Sequence, residues 1–176
     1  MIMKGLRSVP KILKINNISG YKASLLFNNG ESRIIDFEKL FREVFKLKEG
    51  KTGFELLNDV EKFKQIKIIN NSIGWENIGT YGKDINGNDV FYPYDLDPIV
   101  LYKNSVSDDE RNIVVGMMIK HARKEIGLTQ EELAKKSGTS KHYISRIENN
   151  KSDIELMTLK KIVEAGLGRT LNIQIN

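Results

Sequence analysis

The feature that most constrains this chain is the segment 127–151, which reads GLTQEELAKKSGTSKHYISRIENNK. Thr129 is followed three residues later by Glu132, the spacing of a capping box at the start of a helix. Gly138 predicts the end of that helix, because glycine accepts the positive φ that a helix terminus requires. Ser140 is a suitable N-cap for a second helix. The segment therefore predicts two short helices joined by a tight turn.

The second predicted helix is amphipathic. Ile144 and Ile147 are three residues apart and share one face, which we expect to be buried. The opposite face is polar and basic, and carries Lys141, His142, Ser145 and Arg146. A helix with such a face suits insertion into the major groove of DNA, where lysine and arginine can donate to guanine.

The segment resembles the helix-turn-helix of the Cro/C1 (Xre) family of phage and bacterial repressors. The resemblance is carried by residues 127–134 (GLTQEELA), Gly138 and residues 144–149 (ISRIEN). It extends over about residues 110–167. It implies a sequence-specific transcriptional regulator, a repressor, that binds double-stranded DNA as a homodimer.

The resemblance also implies roles for single residues. Gln130 and Ser140 would bind phosphates, while Lys141, His142 and Arg146 would read base edges. The residues predicted to contact DNA are Gln130, Ser140, Lys141, His142, Tyr143, Ser145, Arg146, Asn149 and Lys151. The alternative is that these side chains are solvated surface groups with no ligand.

Four other positions complete the resemblance or depart from it. The family often has glutamine where Lys141 stands, so a preference for adenine does not follow. Asn150 replaces a common glycine, which asparagine can do because it tolerates the left-handed region. Arg123 and Glu148 occupy positions where the family has a structural ion pair, and we expect them to support the second helix.

The charge of the chain is concentrated in this region. The whole sequence of 176 residues has a net charge of +5, which permits an anionic partner. Residues 120–151 hold eight Lys and Arg against four Asp and Glu, a balance of +4. Because this excess is modest, we expect DNA affinity to depend on salt and on two copies binding together.

Several classes of protein are disfavoured. Without cysteine the chain can form no disulfide and no cysteine-ligated zinc site. The only histidines, His121 and His142, suggest neither a metal site nor a Ser-His-Asp site. The start of the chain lacks the apolar core of a signal peptide, and no apolar run reaches the length of a membrane span. We predict a cytoplasmic protein that is not an enzyme and needs no cofactor or metal.

Residues 1–103 predict an α+β domain of antiparallel hairpins with one or two helices. Apolar and alternating stretches predict strands at 11–18, 21–27, 33–36, 64–70, 73–77 and 90–92. Turns between them are indicated by Asn and Gly at 28–30, 70–71 and 84–88. The spacing of Phe37, Leu40, Phe41, Val44 and Phe45 predicts an amphipathic helix over 37–47.

The same region is similar in places to DUF2442, a small bacterial domain of unknown function. The matching residues are the hairpin at Asn29-Gly30, Asp36-Phe37 before a helix, and the sequence Ile73-Gly74-Trp75. This resemblance implies no activity.

The chain after this domain predicts a linker and an all-α helix-turn-helix domain that ends in a β-strand. Residues 104–107 are polar and are expected to form the linker, and residues 108–176 the second domain. Within it, a first helix is expected over 108–125 and a strand over 170–175 (TLNIQI), which would need a partner strand.

Two functions follow from this organisation. The first is a dimeric DNA-binding regulator whose N-terminal domain serves sensing or association. The second is an antitoxin that represses its own operon and binds a toxin through the N-terminal domain.

Overall fold

A computed structural model of the chain describes residues 9–175. The first eight residues, where the sequence predicts no signal peptide, lie outside the described part. The chain divides into two compact units, an N-terminal unit up to residue 112 and a C-terminal unit from residue 113. No helix within residues 9–175 is long and apolar enough to cross a membrane.

The N-terminal unit contains seven strands and three short α-helices among the described residues. The strands are β1 (Ile12–Ser19), β2 (Lys22–Phe27), β3 (Ser32–Asp36), β4 (Lys67–Ile69), β5 (Ser72–Lys83), β6 (Asp89–Leu96) and β7 (Ser105–Ser107). The helices are α1 (Phe37–Lys39), which continues as a π-helical turn at Leu40–Val44, α2 (Val60–Phe63), and α3 (Pro98–Lys103). A 3-10 turn at Phe54–Leu57 precedes α2.

These strands form two antiparallel sheets, one in the order β1-β2-β3-β7 and one in the order β4-β5-β6. The predicted turns join them. Gly30 has a φ of 84° between β2 and β3, and Asn70 and Asn71 have φ of 52° and 62° between β4 and β5. At the third turn, the carboxylate of Asp84 accepts hydrogen bonds from the backbone N–H groups of Asn86 and Asn88. The predicted α+β class is therefore confirmed.

The core of the N-terminal unit is aromatic. Phe37, Phe41 and Phe63 surround Trp75, with ring centroids 5.7–6.2 Å from the indole. The indole N–H of Trp75 donates to the backbone oxygen of Phe63 at 2.8 Å, so its one polar atom is satisfied inside the core. The amphipathic pattern that begins at Phe37 thus places its rings against Trp75 of β5, and the helical part ends at Val44 and not at the expected residue 47.

The predicted linker over 104–107 is wrong. Residues Ser105–Ser107 form β7, which pairs with β3 through Arg33↔Ser107 and Ile35↔Ser105. The polar composition suggested a linker, but an edge strand needs little apolar side-chain area when backbone hydrogen bonds to a neighbouring strand are available. The N-terminal unit therefore reaches residue 112 and not 103.

The C-terminal unit is helical. Its elements are α4 (Val115–Glu125), α5 (Gln130–Ser137), α6 (Lys141–Glu148) and α7 (Leu156–Lys161), which continues as a π-helical turn at Ile162–Gly166. A small aliphatic core joins them, and its fully buried members include Ile119, Leu133, Ile144, Ile147 and Ile162.

Glycine is required where α4 crosses the end of α6. A Cβ on Gly116 would stand 2.0 Å from the backbone oxygen of Ile147 and 2.7 Å from Oδ1 of Asn150, which is closer than any side chain can approach. Asn150 has a φ of 52°, so asparagine holds the left-handed position expected of it.

Two further expectations for this part of the chain are wrong. The first helix begins at Val115 and not at 108, because the backbone N–H of Asp108 donates to Ser32 at 2.9 Å and residues 108–112 form a turn. The predicted strand over 170–175 is not formed either, since these residues have no regular structure in the single chain. A strand is stable only beside another strand, and within residues 9–175 none lies against this segment.

Candidate nucleic-acid interface

The capping box at the start of α5 fixes the first helix of the predicted pair. The backbone N–H of Glu132 donates to Oγ1 of Thr129 at 3.2 Å, and the N–H of Thr129 donates to Oε2 of Glu132 at 2.7 Å. The hydrogen bond from the backbone N–H of Thr129 and, to a smaller extent, that from its hydroxyl hold the pKa of the Glu132 carboxyl below its ordinary value. Both orphan groups at the helix start are thereby satisfied.

The turn after α5 sets the direction of α6. Gly138 closes α5 with a φ of 64°, in the left-handed region. Ser140 then caps α6, and its Oγ accepts from the N–H of Tyr143 at 3.1 Å. The two helices thus have the caps that the sequence predicts, and the reversal between them occupies three residues, 138–140.

The faces of α6 are divided as expected. Ile144 and Ile147 are buried in the aliphatic core, whereas Lys141, His142 and Arg146 are exposed. Of the other residues predicted to contact DNA, Ser140, Asn149 and Lys151 are exposed and Gln130, Tyr143 and Ser145 are half-buried. The structure therefore brings the three predicted base readers together on one exposed helix face.

Several of these side chains have partners within the protein. Nζ of Lys141 lies 3.4 Å from a carboxylate oxygen of Glu131 on α5. Nη2 of Arg146 donates to the backbone oxygen of Lys151 at 3.1 Å. Both contacts are exposed, and such contacts contribute little to stability, so both cations can leave them for an anionic ligand.

Gln130 has a firmer partner. Its amide Nε2 donates to Oε2 of Glu148 at 2.8 Å, so the side chain predicted to bind a phosphate is oriented by a buried carboxylate. An amide has two N–H donors, and this bond uses one of them.

The ion pair expected beneath α6 is present. Nε and Nη2 of Arg123 donate to the two oxygens of Glu148 at 2.5 and 2.9 Å, and Nη1 donates to the backbone oxygen of Leu128 at 2.7 Å. Burial alone would raise the pKa of Glu148, but the hydrogen bonds from Arg123 and Gln130 outweigh it and hold the pKa below the ordinary value. The hydrogen bond to Glu148 raises the pKa of Arg123. The pair joins α4 to α6 and fixes the angle at which α6 is presented.

A groove that sequence reasoning missed lies beside the N-terminal end of α6. It has a volume of about 640 Å³, and its lining includes Tyr143, Asp153, Glu155 and Lys161. The signal in the sequence that could have indicated this groove is the pair of acidic residues, Asp153 and Glu155, that follows the second helix. Because of these carboxylates, the surface around α6 is not uniformly basic.

The two histidines lie on different helices, His121 on α4 and His142 on α6. Nδ1 of His121 is 3.3 Å from Glu125, one turn further along α4, and His142 is exposed on α6. Within residues 9–175 no group of three or more His, Cys, Asp or Glu side chains is placed to hold a metal ion.

Known proteins provide independent comparisons. The helix-turn-helix family model HTH_3 matches residues 119–166. No curated protein matches the chain. Among solved structures, the wild-type restriction-modification controller protein C.Esp1396I is 40% identical over 32% of this chain and 74% of its own, with a TM-score of 0.31. A mutant of that protein is 38% identical over 32% of this chain and 73% of its own, with a TM-score of 0.31.

The protein NE0471 of Nitrosomonas europaea matches over a longer stretch. It is 14% identical over 87% of this chain and 84% of its own, with a TM-score of 0.33. The family match coincides with α4 to α7 and with the residues that carry the resemblance in sequence. Residues 119–166 are therefore a Cro/C1-type DNA-binding helix-turn-helix domain of the HTH_3 family.

Proposed function

We propose that this protein is a sequence-specific transcriptional repressor that binds DNA as a dimer through α6. The observation that carries the proposal is the exposed face of α6, where Lys141, His142 and Arg146 lie opposite a buried apolar face. This is the arrangement of a recognition helix, in which the buried face fixes the helix and the exposed face meets base edges.

The contacts around this face support distinct roles. Lys141 lies on the first turn of α6 and Arg146 on its second turn. Each carries its charge at the end of a flexible side chain, which can extend toward a base edge. Lys141 and Arg146 donate to guanine, and each well-formed pair contributes about 1–3 kcal/mol of discrimination. Gln130 and Ser140, at the starts of α5 and α6, contact backbone phosphates.

The dimer is supported by the C-terminal segment. Leu171, Ile173 and Ile175 alternate with polar residues, and the side chains of Ile173 and Ile175 are 60% and 95% exposed. The segment begins next to Arg169, which is held on α4 by a 2.7 Å ion pair with Glu125. A second copy can pair with it along the backbone and cover these side chains. Two copies also bring two recognition helices to the two half-sites of an operator.

The DNA contacts are tested by measuring the affinity of the full chain for its own promoter at several salt concentrations. The variant Lys141→Ala/Arg146→Ala should bind specific DNA at least about 30-fold more weakly, because it loses two base contacts of about 1–3 kcal/mol each. It should also reduce the dependence of affinity on salt if either side chain is close to phosphates.

The matched control is Lys39→Ala/Arg42→Ala. These residues are also exposed and ion-paired, to Glu43 and Glu38, and they lie in the N-terminal unit. Both double variants lower the net charge by two, so a general loss of charge would weaken both equally. Equal affinity of the α6 variant and the wild type would show that α6 does not recognise DNA.

The dimer is tested by light scattering after deletion of residues 170–176. This deletion keeps Arg169 and its ion pair, so the end of α4 is not disturbed. The shortened chain should be a monomer at concentrations where the full chain is a dimer. An unchanged mass would rule out pairing through this segment.

An antitoxin remains the second candidate, and the β5–β6 hairpin is the observation that favours it. Tyr81 and Ile85 on this hairpin are 80% and 100% exposed, and Tyr92 on β6 is also exposed. Exposed apolar side chains at the end of a hairpin are typical of a surface that binds another protein.

The two candidates are separated by co-expression with the product of the neighbouring gene. An antitoxin should co-purify with a small basic protein and suppress its toxicity, and Tyr81→Ser/Ile85→Ser should weaken that complex. If the neighbouring gene product neither binds this protein nor inhibits growth, the repressor is the one candidate function that remains.

A further inference from the structure

The turn that ends the N-terminal unit is fastened to the sheet of β1, β2 and β3. The backbone N–H of Asp108 donates to the oxygen of Ser32 at 2.9 Å. Asn112 binds both backbone groups of the same residue: Oδ1 accepts from the N–H of Ser32 at 2.7 Å and Nδ2 donates to its oxygen at 2.8 Å. Residues 108–112 therefore have a defined position on this sheet.

A cavity of about 210 Å³ lies between this turn and the sheet. It is smaller and more enclosed than the groove beside α6. The polar residues that line it include Asn17, Lys22 and Ser24 from the sheet and Asp108, Glu110 and Arg111 from the turn. Its volume corresponds to about seven water molecules at roughly 30 Å³ each.

The carboxylate of Asp108 is the unusual group in this cavity. Its side chain is only 6% exposed, and burying a carboxylate is costly unless it is well paired. It accepts a hydrogen bond from the hydroxyl of Ser24 and lies 3.6 Å from Nε of Arg111, whose side chain is 47% exposed. Because its partners are one neutral hydroxyl and one half-exposed guanidinium, this carboxylate can accept further hydrogen bonds.

Both signs of charge face the cavity. Asp108 and Glu110 supply carboxylates, and Arg111 and Lys22 supply cations, with Lys22 3.5 Å from Asp36 on the next strand. The hydroxyl of Ser24 and the amide of Asn17 add neutral donors and acceptors. A simple anion would be repelled by Asp108, and a simple cation by the guanidinium of Arg111.

We infer that this cavity binds a small zwitterion of the amino-acid type. The ammonium group of the ligand lies against Asp108 and Glu110, and its carboxylate against Arg111, which can bind it through two N–H donors. The volume admits a molecule of roughly seven non-hydrogen atoms, the size of a small amino acid.

The site also provides a regulatory input. Asp108, Glu110 and Arg111 belong to the turn that immediately precedes Ile113 and α4. A ligand that contacts both the turn and the sheet adds to the hydrogen bonds by which Asp108 and Asn112 already hold the turn, and so changes the affinity of the domain that follows it for DNA. This second part rests on the proposed function, whereas binding in the cavity does not.

Ligand binding is tested by calorimetry on the full chain with three molecules of similar size. L-Serine carries both charges, ethanolamine lacks the carboxylate, and glycerate carries a hydroxyl in place of the ammonium. L-Serine should bind at least tenfold more tightly than either of the others. Equal affinities, or no heat from L-serine at millimolar concentration, would overturn the proposal.

The position of the site is tested by Arg111→Gln, with Arg42→Gln as its matched control. Both arginines are exposed and ion-paired in the N-terminal unit, but only Arg111 lines the cavity. Arg111→Gln should weaken L-serine binding at least tenfold and Arg42→Gln should leave it unchanged. Asp108→Asn, which retains the shape of the side chain, should weaken it similarly. Unchanged binding in both cavity variants would place any ligand elsewhere.

Regulation is tested by repeating the promoter titration with saturating L-serine. The affinity for DNA should change severalfold in the wild type and should not change in Arg111→Gln. If calorimetry detects the ligand but DNA affinity does not respond, the regulatory part is wrong and the site remains. If no variant or condition binds specific DNA, the proposed function fails and the calorimetric result is unaffected.

Discussion

The two units of this protein are stabilised by different kinds of interaction. The N-terminal unit buries a cluster of aromatic rings around Trp75, with Phe37, Phe41 and Phe63 in contact. Among residues 113–175, the buried hydrophobic cluster of the C-terminal unit is aliphatic, and the ion pair of Arg123 and Glu148 lies beside it. The N-terminal unit therefore depends mainly on apolar burial, whereas the C-terminal unit depends more on polar contacts.

The difference follows from size and task. A domain of about 60 residues buries a smaller share of its surface than one of about 110, so caps and ion pairs carry a larger part of its stability. The same polar contacts position α6, because Glu148 links Arg123 of α4 with Gln130 of α5. In this unit the same atoms contribute to stability and hold α6 in position.

The largest effect is expected in the aromatic core. Trp75→Ala removes a fully buried side chain and the hydrogen bond to Phe63, and should lower the free energy of unfolding of the N-terminal unit by about 3–5 kcal/mol. Urea unfolding followed by far-UV circular dichroism measures the change. The transition of the helical C-terminal unit should keep its midpoint.

The control for this prediction is Tyr81→Ala on the exposed end of the β5–β6 hairpin, which should change the stability by no more than about 0.5 kcal/mol. If Trp75→Ala shifted both transitions together, the two units would unfold as one and the contrast between their cores would not apply.

The next effect is expected at the buried ion pair. Arg123→Ala leaves the carboxylate of Glu148 buried and removes a donor to Leu128, and should destabilise the C-terminal unit by about 3 kcal/mol. Circular dichroism should report this loss, while the fluorescence of Trp75, the only tryptophan, should report an unchanged N-terminal unit.

Two variants test whether burial is the cause. Arg169→Ala removes an exposed ion pair with Glu125 and should cost no more than about 1 kcal/mol. Replacing both partners, as Arg123→Met/Glu148→Leu, should recover most of the stability lost in Arg123→Ala, because no unpaired charge is then buried. A double variant as unstable as the single one would show that packing, and not charge, explains the loss.

The pH dependence should separate the units further. The pKa of Glu148 is held below the ordinary value of 4.5 by Arg123 and Gln130, against burial, and that of Glu132 by Thr129. A carboxyl whose folded pKa is lowered contributes stability that is complete above its ordinary pKa and is lost as pH falls toward the folded pKa. The C-terminal unit should therefore lose stability below about pH 4.5.

The measurement is acid titration with circular dichroism for the C-terminal unit and Trp75 fluorescence for the N-terminal unit. In the N-terminal unit the one lowered pKa resolved among described carboxyl groups is that of Asp84, whose bonds to Asn86 and Asn88 are confined to one turn. The N-terminal unit should therefore unfold at a lower pH than the C-terminal unit. Coincident transitions would contradict the contrast, and Glu148→Gln should shift only the helical signal.

Local signals in the sequence predicted the C-terminal unit well. The capping box, Gly138 and Ser140 each act within four residues of themselves, so their outcome hardly depends on the rest of the chain. The exposed face of α6 was predictable for the same reason, because Ile144 and Ile147 define which side is buried. The contacts with DNA stay predictions.

The errors concern segments whose structure depends on a distant neighbour. Ser105–Ser107 became a strand because β3 offers an open edge 72 residues earlier, with Arg33 donating to Ser105 across the pair. The TLNIQI segment has the alternation of a strand but no neighbouring strand within residues 9–175. The cavity beneath residues 108–112 could not be predicted, since it joins residues about 84 positions apart, as in the hydrogen bond from Ser24 to Asp108. The resemblance to DUF2442 stays a prediction.

The smallest expected effect is at the cap of α5. Thr129→Ala removes the hydroxyl that accepts from the N–H of Glu132, and should lower the stability of the C-terminal unit by about 1 kcal/mol. Circular dichroism measures the shift, with Thr80→Ala at an exposed position of the N-terminal unit as a control that should leave the transition of the C-terminal unit unchanged. Since the cap lies one residue before Gln130, which binds Glu148, the variant should also lower DNA affinity slightly if cap and ion pair act together. A loss of stability with unchanged affinity would show that the ion pair alone positions α6.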